Sequence, residues 1–448
     1  MILSIVTETE GAMYPVWEVP HLTAGMILAL IATFHMLPVY LSTSAMWFLV
    51  WLEYKSVRRN RPELMDFVRR YARLVLIFSY VFGALSGVGI WFSATVAAPR
   101  AISGLIHNYV WGWATEWVFF LIEIAAIYVY YYTLDKADSK THLKIGAIFA
   151  LSSWTTMVVI VGILTFMLTP GRWAETGGFF DGFFNPTYWP QLLLRTTSMF
   201  AVGGAYVLWV APGGKDAAAR DEIVRAGSIL GLAGAALGAA SFAWYASVLP
   251  DGARETFPVL LTPALKAGLL WPCVFVAAAY AALALKPRAA RPWMGALVLA
   301  VAFCGIWSFE RVRELIRKPY LIPGYMYSNQ LIGGALPAKG IASELDQINA
   351  KGILSVAPFV PEELRTVTPA NRLNAGRMVA LIECSACHTL DQTGLRPLPA
   401  RVRRLGAAGT DEMAAVLDAL GSMPYMPPFA GTDAEKRALA DYLLSISK

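Results

Sequence analysis

The residues of this chain that could do chemistry fall into two sets. Near the C-terminal end, "MVALIECSACHTLDQTG" (378–394) holds two cysteines two residues apart with a histidine directly after. That spacing is the attachment pattern for a c-type haem: Cys384 and Cys387 would form thioethers to the porphyrin, and His388 would supply the proximal iron ligand. The second set consists of ionisable residues in long apolar runs, each costly enough there to be a functional candidate. His21 and His35 share one run; at about 100° per residue they fall on one helix face, roughly 21 Å apart. Each is either a haem ligand or a hydrogen-bonded polar residue. Glu116 and Glu123 stack on one face about 10 Å apart, as a proton path requires; the plainer alternative is two carboxyls satisfied by neighbouring helices. Arg195 could snorkel or hold a haem propionate. Glu310 is followed at i+3 by Arg313, ordinarily a surface ion pair. His107 reads as interfacial and His142 as a solvated loop residue.

The elements that must position these residues are membrane helices. The chain is 57% hydrophobic and 15% charged, with 15 Trp and 22 Phe, a composition suited to the lipid bilayer. About 20 apolar residues cross the hydrocarbon core, and eight segments qualify: roughly 22–53, 71–97, 110–134, 144–168, 191–211, 225–247, 263–285 and 293–312. Loops one, three, five and seven carry nearly all the Lys and Arg, whereas loops two, four and six offer only Arg100, Arg172 and Arg254. The positive-inside rule therefore directs the odd loops to the cytoplasm and both termini to the periplasm. Covalent haem attachment also takes place outside the bacterial cytoplasmic membrane, so two signals agree. The net charge of +6 reflects this orientation; no basic stripe interleaved with aromatics suggests a nucleic-acid partner. The N-terminus MILSIVTETE lacks a basic n-region and reads as retained. Cys273 and Cys304 read as small buried thiols. The Gly- and aromatic-rich loop 171–191 falls on the outer side, where it could cap the bundle.

The expected fold is all-α: a polytopic bundle of about eight transmembrane helices followed by a small all-α domain. Residues 1–318 form the membrane domain, Pro/Gly-punctuated 319–368 a periplasmic linker, and 369–448 the haem-bearing domain. The segment "SMPYMPPFAGTDAEKRALADYL", with its methionine ahead of prolines and a closing helix, resembles class I cytochromes c over about 370–448. That resemblance implies Met426 as the second iron ligand, with Met423 and Met413 as rivals. A thioether opposite histidine raises the reduction potential.

"ATFHMLPVYLSTSAMWFLVWLEY", "WATEWVFFLIEI" and "FERVRELIRKPY" resemble, in order and spacing, subunit I of the cytochrome bd oxygen reductases over about 20–320. The resemblance implies iron ligation by His35 and Glu310, with His21 a weaker candidate, and proton delivery by Glu116 and Glu123. It also implies two membrane haems of b or d type and a second membrane subunit. Where the family has a fifth-span histidine ligating a low-spin haem, this chain has Arg195, and its seventh span lacks the partner methionine. The quinol-binding loop is reduced to "VLPDGARETFPVLLTP", and a haem-bearing tail replaces the ninth span. The reading is therefore an oxygen reductase of the bacterial inner membrane. Electrons would enter through its own c-type haem from a periplasmic donor such as a cytochrome c, not from quinol. The alternative is a membrane cytochrome subunit that moves electrons without oxygen chemistry.

Overall fold

The computed structural model describes residues 13–423 and 425–448, and MILSIVTETE lies outside them. Among the described residues, eight helices are long and apolar enough to span a membrane. These are α1 (Ala24–Arg59), α2 (Leu64–Ala97), α3 (Val110–Thr133), α4 (Ser139–Phe166), α5 (Tyr188–Val210), α6 (Ala217–Ser247), α7 (Pro263–Leu285) and α8 (Pro292–Ile316). The second starts seven residues earlier than the apolar run suggests. Leu64, Phe67, Val68 and Tyr71 bury one stripe while Arg69 and Arg70 leave the core, so the amphipathic entrance is helical too.

The loops segregate as their charges require. On one face, Lys55 near the end of α1 and Arg61 just after it pair with Glu222, Arg69 pairs with Asp135, and Arg288 reaches Asp221 at 3.1 Å. On the other face, Arg100 binds Glu344 at 2.5 Å, and Lys339 lies over the Trp173 ring at 5.8 Å. Loops two and four, the latter as two short helices (Trp173–Thr176 and Phe179–Phe183), thus meet the segment after α8. Odd and even loops occupy opposite ends, and the chain is a multi-pass membrane protein.

α1 contains Pro38, which removes a helix donor and invites a bend. Opposite it, α2 widens into a π-helix over Val75–Phe82, and Ser79 donates to the Pro38 carbonyl at 3.0 Å. α5 and α6 pack through small residues: a Cβ on Gly204 would lie 2.8 Å from the Gly227 carbonyl and from Gly231 Cα. Close backbone approach through small residues drives helix association where solvent offers no hydrophobic force.

Two placements correct the sequence reading. Cys273 and Cys304 are exposed on the outside of the bundle, because apolar residues of a membrane protein face hydrocarbon as readily as core. His142 is not solvated: α4 begins three residues before it, capped by Asp138, and the helix carries its ring into the bundle, leaving it 3% exposed.

After α8 the chain forms a short antiparallel hairpin, β1 (Tyr320–Ile322) with β2 (Met326–Tyr327). Leu321, Ile322 and Met326 join the membrane-domain core, whereas Ile348, Ile353 and Leu354 join the core of the C-terminal domain. This segment therefore packs on both. The C-terminal domain comprises α9 (Arg372–Glu383), α10 (Leu398–Leu405), α11 (Thr410–Asp418) and α12 (Asp433–Ile446). α9 crosses α12 so closely that a Cβ on Gly376 would meet the Ala438 carbonyl at 2.1 Å. Thr432 and Glu435 form a capping box on α12, and the Glu435 carboxylate also accepts the amides of Ile353 and Leu354 at 3.1 and 2.8 Å.

Gly204→Leu is expected to lower stability by about 1–3 kcal/mol or more through overpacking. Thermal unfolding in detergent, followed by circular dichroism, checks this; an unchanged midpoint would contradict the α5–α6 contact.

Candidate functional site

The CSACH turn follows directly on the end of α9. The amides of Cys387 and His388 both donate to the Cys384 carbonyl, at 3.1 and 3.0 Å, setting the two thiols and the imidazole on one turn. His388 is 9% exposed, and its Nδ1 lies 2.9 Å from the Arg396 carbonyl. A carbonyl only accepts, so Nδ1 carries the proton and Nε2 keeps its lone pair for iron. Burial, reinforced by the Arg396, Arg401 and Lys318 charges, lowers the His388 pKa to about 4, so the ring is neutral at physiological pH. Met413 is 1% exposed within the domain core, which commits it to packing. Met423 and Met426 stay half-buried in the loop before α12. A neutral histidine beside two free thiols on one turn fits covalent haem.

That turn faces the membrane domain. The Leu395 amide donates to the His21 carbonyl at 3.0 Å, His21 Nδ1 lies 3.0 Å from Thr393 Oγ1, and Arg377 pairs with Glu18 at 2.8 Å. His21 thus sits at the domain junction with its ring on the C-terminal domain, away from His35. Two small cavities flank the contact. One, of about 30 Å³, is bordered by Thr23, Met26, Trp307, Arg311, Ala386 and Arg396. The other, of about 60 Å³, is bordered by Trp17, Ala97, Gln330, Ser385 and Ala386 among others. Ala386, inside the CSACH turn, touches both.

In the bundle, His35 points at α2. Ser86 gives its one hydroxyl proton to the Phe82 carbonyl at 2.8 Å, so at 2.8 Å it accepts from His35 Nδ1. Nε2 is again left as a lone pair, and Gly87 leaves room beside the ring: a Cβ there would reach His35 Cε1 at 3.4 Å. Glu310 is buried, not a surface residue, because helix α8 turns it inward to meet α5. Its Oε1 accepts from Arg195 Nη2 at 3.1 Å and its Oε2 from Arg313 Nε at 2.8 Å. Each oxygen keeps a further lone pair. Arg195 also reaches Met36 Sδ at 3.5 Å. Among the described residues, the buried Nε–H groups of Arg195, Arg317 and Arg396 have no acceptor. Surplus buried guanidinium donors on this face fit anionic propionates, and the His35 and Glu310 lone pairs fit iron. No cluster of three His, Cys, Asp or Glu that could hold a bare metal ion occurs among the described residues.

Glu123 is 5% exposed, and its Oε1 accepts three hydroxyls: Ser42, Tyr80 at 2.5 Å and Ser153 at 3.0 Å. Glu116 stands two turns outward on the same helix, half-exposed. Ser42, Tyr80 and Ser153 come from α1, α2 and α4, so no spacing within one segment announces them. The one local hint is the π-helix that turns Tyr80 inward, and such bulges concentrate at functional sites.

Fold and site together describe a multi-pass helical membrane protein built to carry haem. The model for cytochrome bd terminal oxidase subunit I matches residues 24–252, just over half of the chain, and the chain belongs to that family. No curated protein matches it. Among solved structures, the bd oxidase from Geobacillus thermodenitrificans is similar at a TM-score of 0.58 and 15% identity. The likeness covers 74% of this chain and 93% of that one, and at this identity it is a likeness of fold. The matched family segment ends well before the CSACH turn.

Two outcomes follow. His35→Ala should remove a membrane haem while sparing the c-type spectrum; unchanged haem content in a pyridine haemochrome assay would refute the assignment. Glu383, beside the CSACH turn, has a buried carboxyl, one oxygen of which accepts from Asn329 at 2.8 Å. Burial raises its pKa from 4.5 to about 8. The folded state therefore keeps a proton that the unfolded state releases, and stability should fall as pH rises from about 4.5 to 8. Glu383→Gln should flatten that stretch of the stability–pH curve; an identical slope in denaturant titrations would contradict it.

Proposed function

We propose that this subunit reduces oxygen to water with electrons that enter through its own c-type haem from a periplasmic donor. Cys384, Cys387, His388 and Met426 would hold that haem, and His35 and Glu310 would ligate the membrane pair; when bound, these groups supply one-electron transfer and the oxygen chemistry. The observation that carries the reading is the docking of the CSACH turn on the membrane domain, with Ala386 bordering both junction cavities. A tail that merely hung from the bundle would have no reason to turn its attachment motif inward.

The remaining roles belong to the side chains around these groups. Nδ1 of His388 and of His35 are each tied down, which orients both rings. Arg195 and Arg313 hold Glu310 by one oxygen each and add positive charge on the side where propionates would lie. The Ser42, Tyr80 and Ser153 hydroxyls hold Glu123 ready to take a proton from the cytoplasmic side, and Glu116 takes it outward. Arg195 fills the fifth-span position of the family's low-spin haem ligand, which supports the loss of the quinol route. A second membrane subunit would cover exposed apolar faces such as that of Val88 and Phe92 on α2.

Oxygen uptake by the purified protein, driven by reduced cytochrome c or by quinol, tests this beside a carbon monoxide difference spectrum. Uptake with cytochrome c, a CO-binding membrane haem, and loss of turnover in His388→Ala are expected. Absence of any CO-binding membrane haem would sink the oxidase reading in favour of a pure electron carrier.

A further inference from the structure

On the basic face of the bundle, three side chains from three helices close a buried ring. His142 Nδ1 lies 2.7 Å from Glu53 Oε1, His142 Nε2 lies 2.8 Å from the Tyr130 carbonyl, and the Tyr130 hydroxyl donates to Glu53 Oε2 at 2.7 Å. The imidazole and phenol rings are 4.1 Å apart, and the His142 and Glu53 side chains are 4% and 3% exposed. The carbonyl can only accept, so Nε2 carries a hydrogen in every state, and the tyrosine proton is committed to Oε2. One proton remains undetermined. It sits on His142, as imidazolium facing carboxylate, or on Glu53, as a neutral acid facing neutral imidazole. Both arrangements leave every polar atom of the ring bonded. A contact that only pins helices needs one of these states, whereas a group that stores and releases a proton needs both.

Its position points the same way. Glu116, Glu123 and Tyr130 follow one another at seven-residue intervals on α3, one face in steps of about 10 Å. On α1, Ser42, which donates to Glu123, and Glu53 mark the same two depths. Met46, Ile127 and Phe149 are fully buried between the two polar layers, so a proton crosses only when water enters there. The other charge acting on His142 is Asp135 in the loop after α3, itself paired with Arg69 of α2. By the positive-inside rule this face is cytoplasmic.

We propose that Glu53 and His142, held by Tyr130, form the site where a cytoplasmic proton is loaded before it moves to Glu123. The purpose of that proton rests on the oxygen-reduction reading, but the site has a test that does not. Full-length holoprotein carrying Glu53→Gln, His142→Gln or Tyr130→Phe is reduced, mixed with oxygen, and followed with a pH-indicator dye in weak buffer. Loss of either member of the pair should slow proton uptake roughly tenfold or more, as removal of a proton-transfer group does, while haem c reduction keeps its wild-type rate. Tyr130→Phe, which removes one donor and no charge, should slow uptake less, and it keeps the test informative if the other variants misfold. A purely structural ring would lower the unfolding temperature and leave uptake per haem unchanged. Wild-type uptake rates in folded variants overturn the proposal. If the wild-type protein consumes no oxygen, the oxidase reading fails by itself, and proton uptake on anaerobic reduction by dithionite then decides: a rate unaltered by Glu53→Gln overturns the loading site.

Discussion

Glu310, gripped on one oxygen by Arg195 and on the other by Arg313, is the contact on which the outer end of this bundle depends. A carboxylate in a low-dielectric interior is tolerable only if its charge and lone pairs are matched, and removal of a partner leaves an uncompensated buried charge. Here two guanidiniums meet one carboxylate, and the excess continues along α8: Glu314 pairs with both Arg317 and Lys318, and Lys318 goes on to Ser328 at 3.0 Å. The end of the bundle that meets the C-terminal domain is therefore rich in buried positive charge. The Arg195–Glu310 pair also ties α5 to α8.

The opposite end obeys the same electrostatic rule with different chemistry. Glu123 and Glu53 lie as deep as Glu310 yet have no Arg or Lys partner among the described residues; hydroxyls satisfy the first, and an imidazole and a phenol the second. A guanidinium fixes a carboxylate as an anion, because it does not give up its proton. Hydroxyl and imidazole partners leave the carboxyl free to change state. The bundle therefore places a carboxylate held by guanidinium groups at the end that meets the C-terminal domain, and carboxyls held by hydroxyl, imidazole and phenol groups toward the basic face.

The junction between the domains shows how a contact can be invisible in the chain yet decisive for its arrangement. His21 resembles a ligand candidate by type and by its place before the first span, but its neighbours are Thr393 and Gly394, more than 370 residues away. Gly394 has φ +107°, and a Cβ there would meet the His21 carbonyl at 2.5 Å, so a glycine is what lets the two backbones meet. Periodicity cannot reveal a pairing between surface loops.

The sequence by itself determined the eight spans, their alternation, the CSACH turn and the face shared by Glu116 and Glu123. All of these depend on local composition or on the 3.6-residue repeat, and bilayer thickness makes that information sufficient. Tertiary structure decided which polar groups meet. It moved His142 from solvent to the core, Cys273 and Cys304 from core to lipid surface, and Glu310 from a surface pair to a buried one. It also gathered Ser42, Tyr80 and Ser153 around Glu123. The reason is that every outward face of a membrane bundle is apolar as well, so hydrophobicity does not mark the inside; only the helix contacts do.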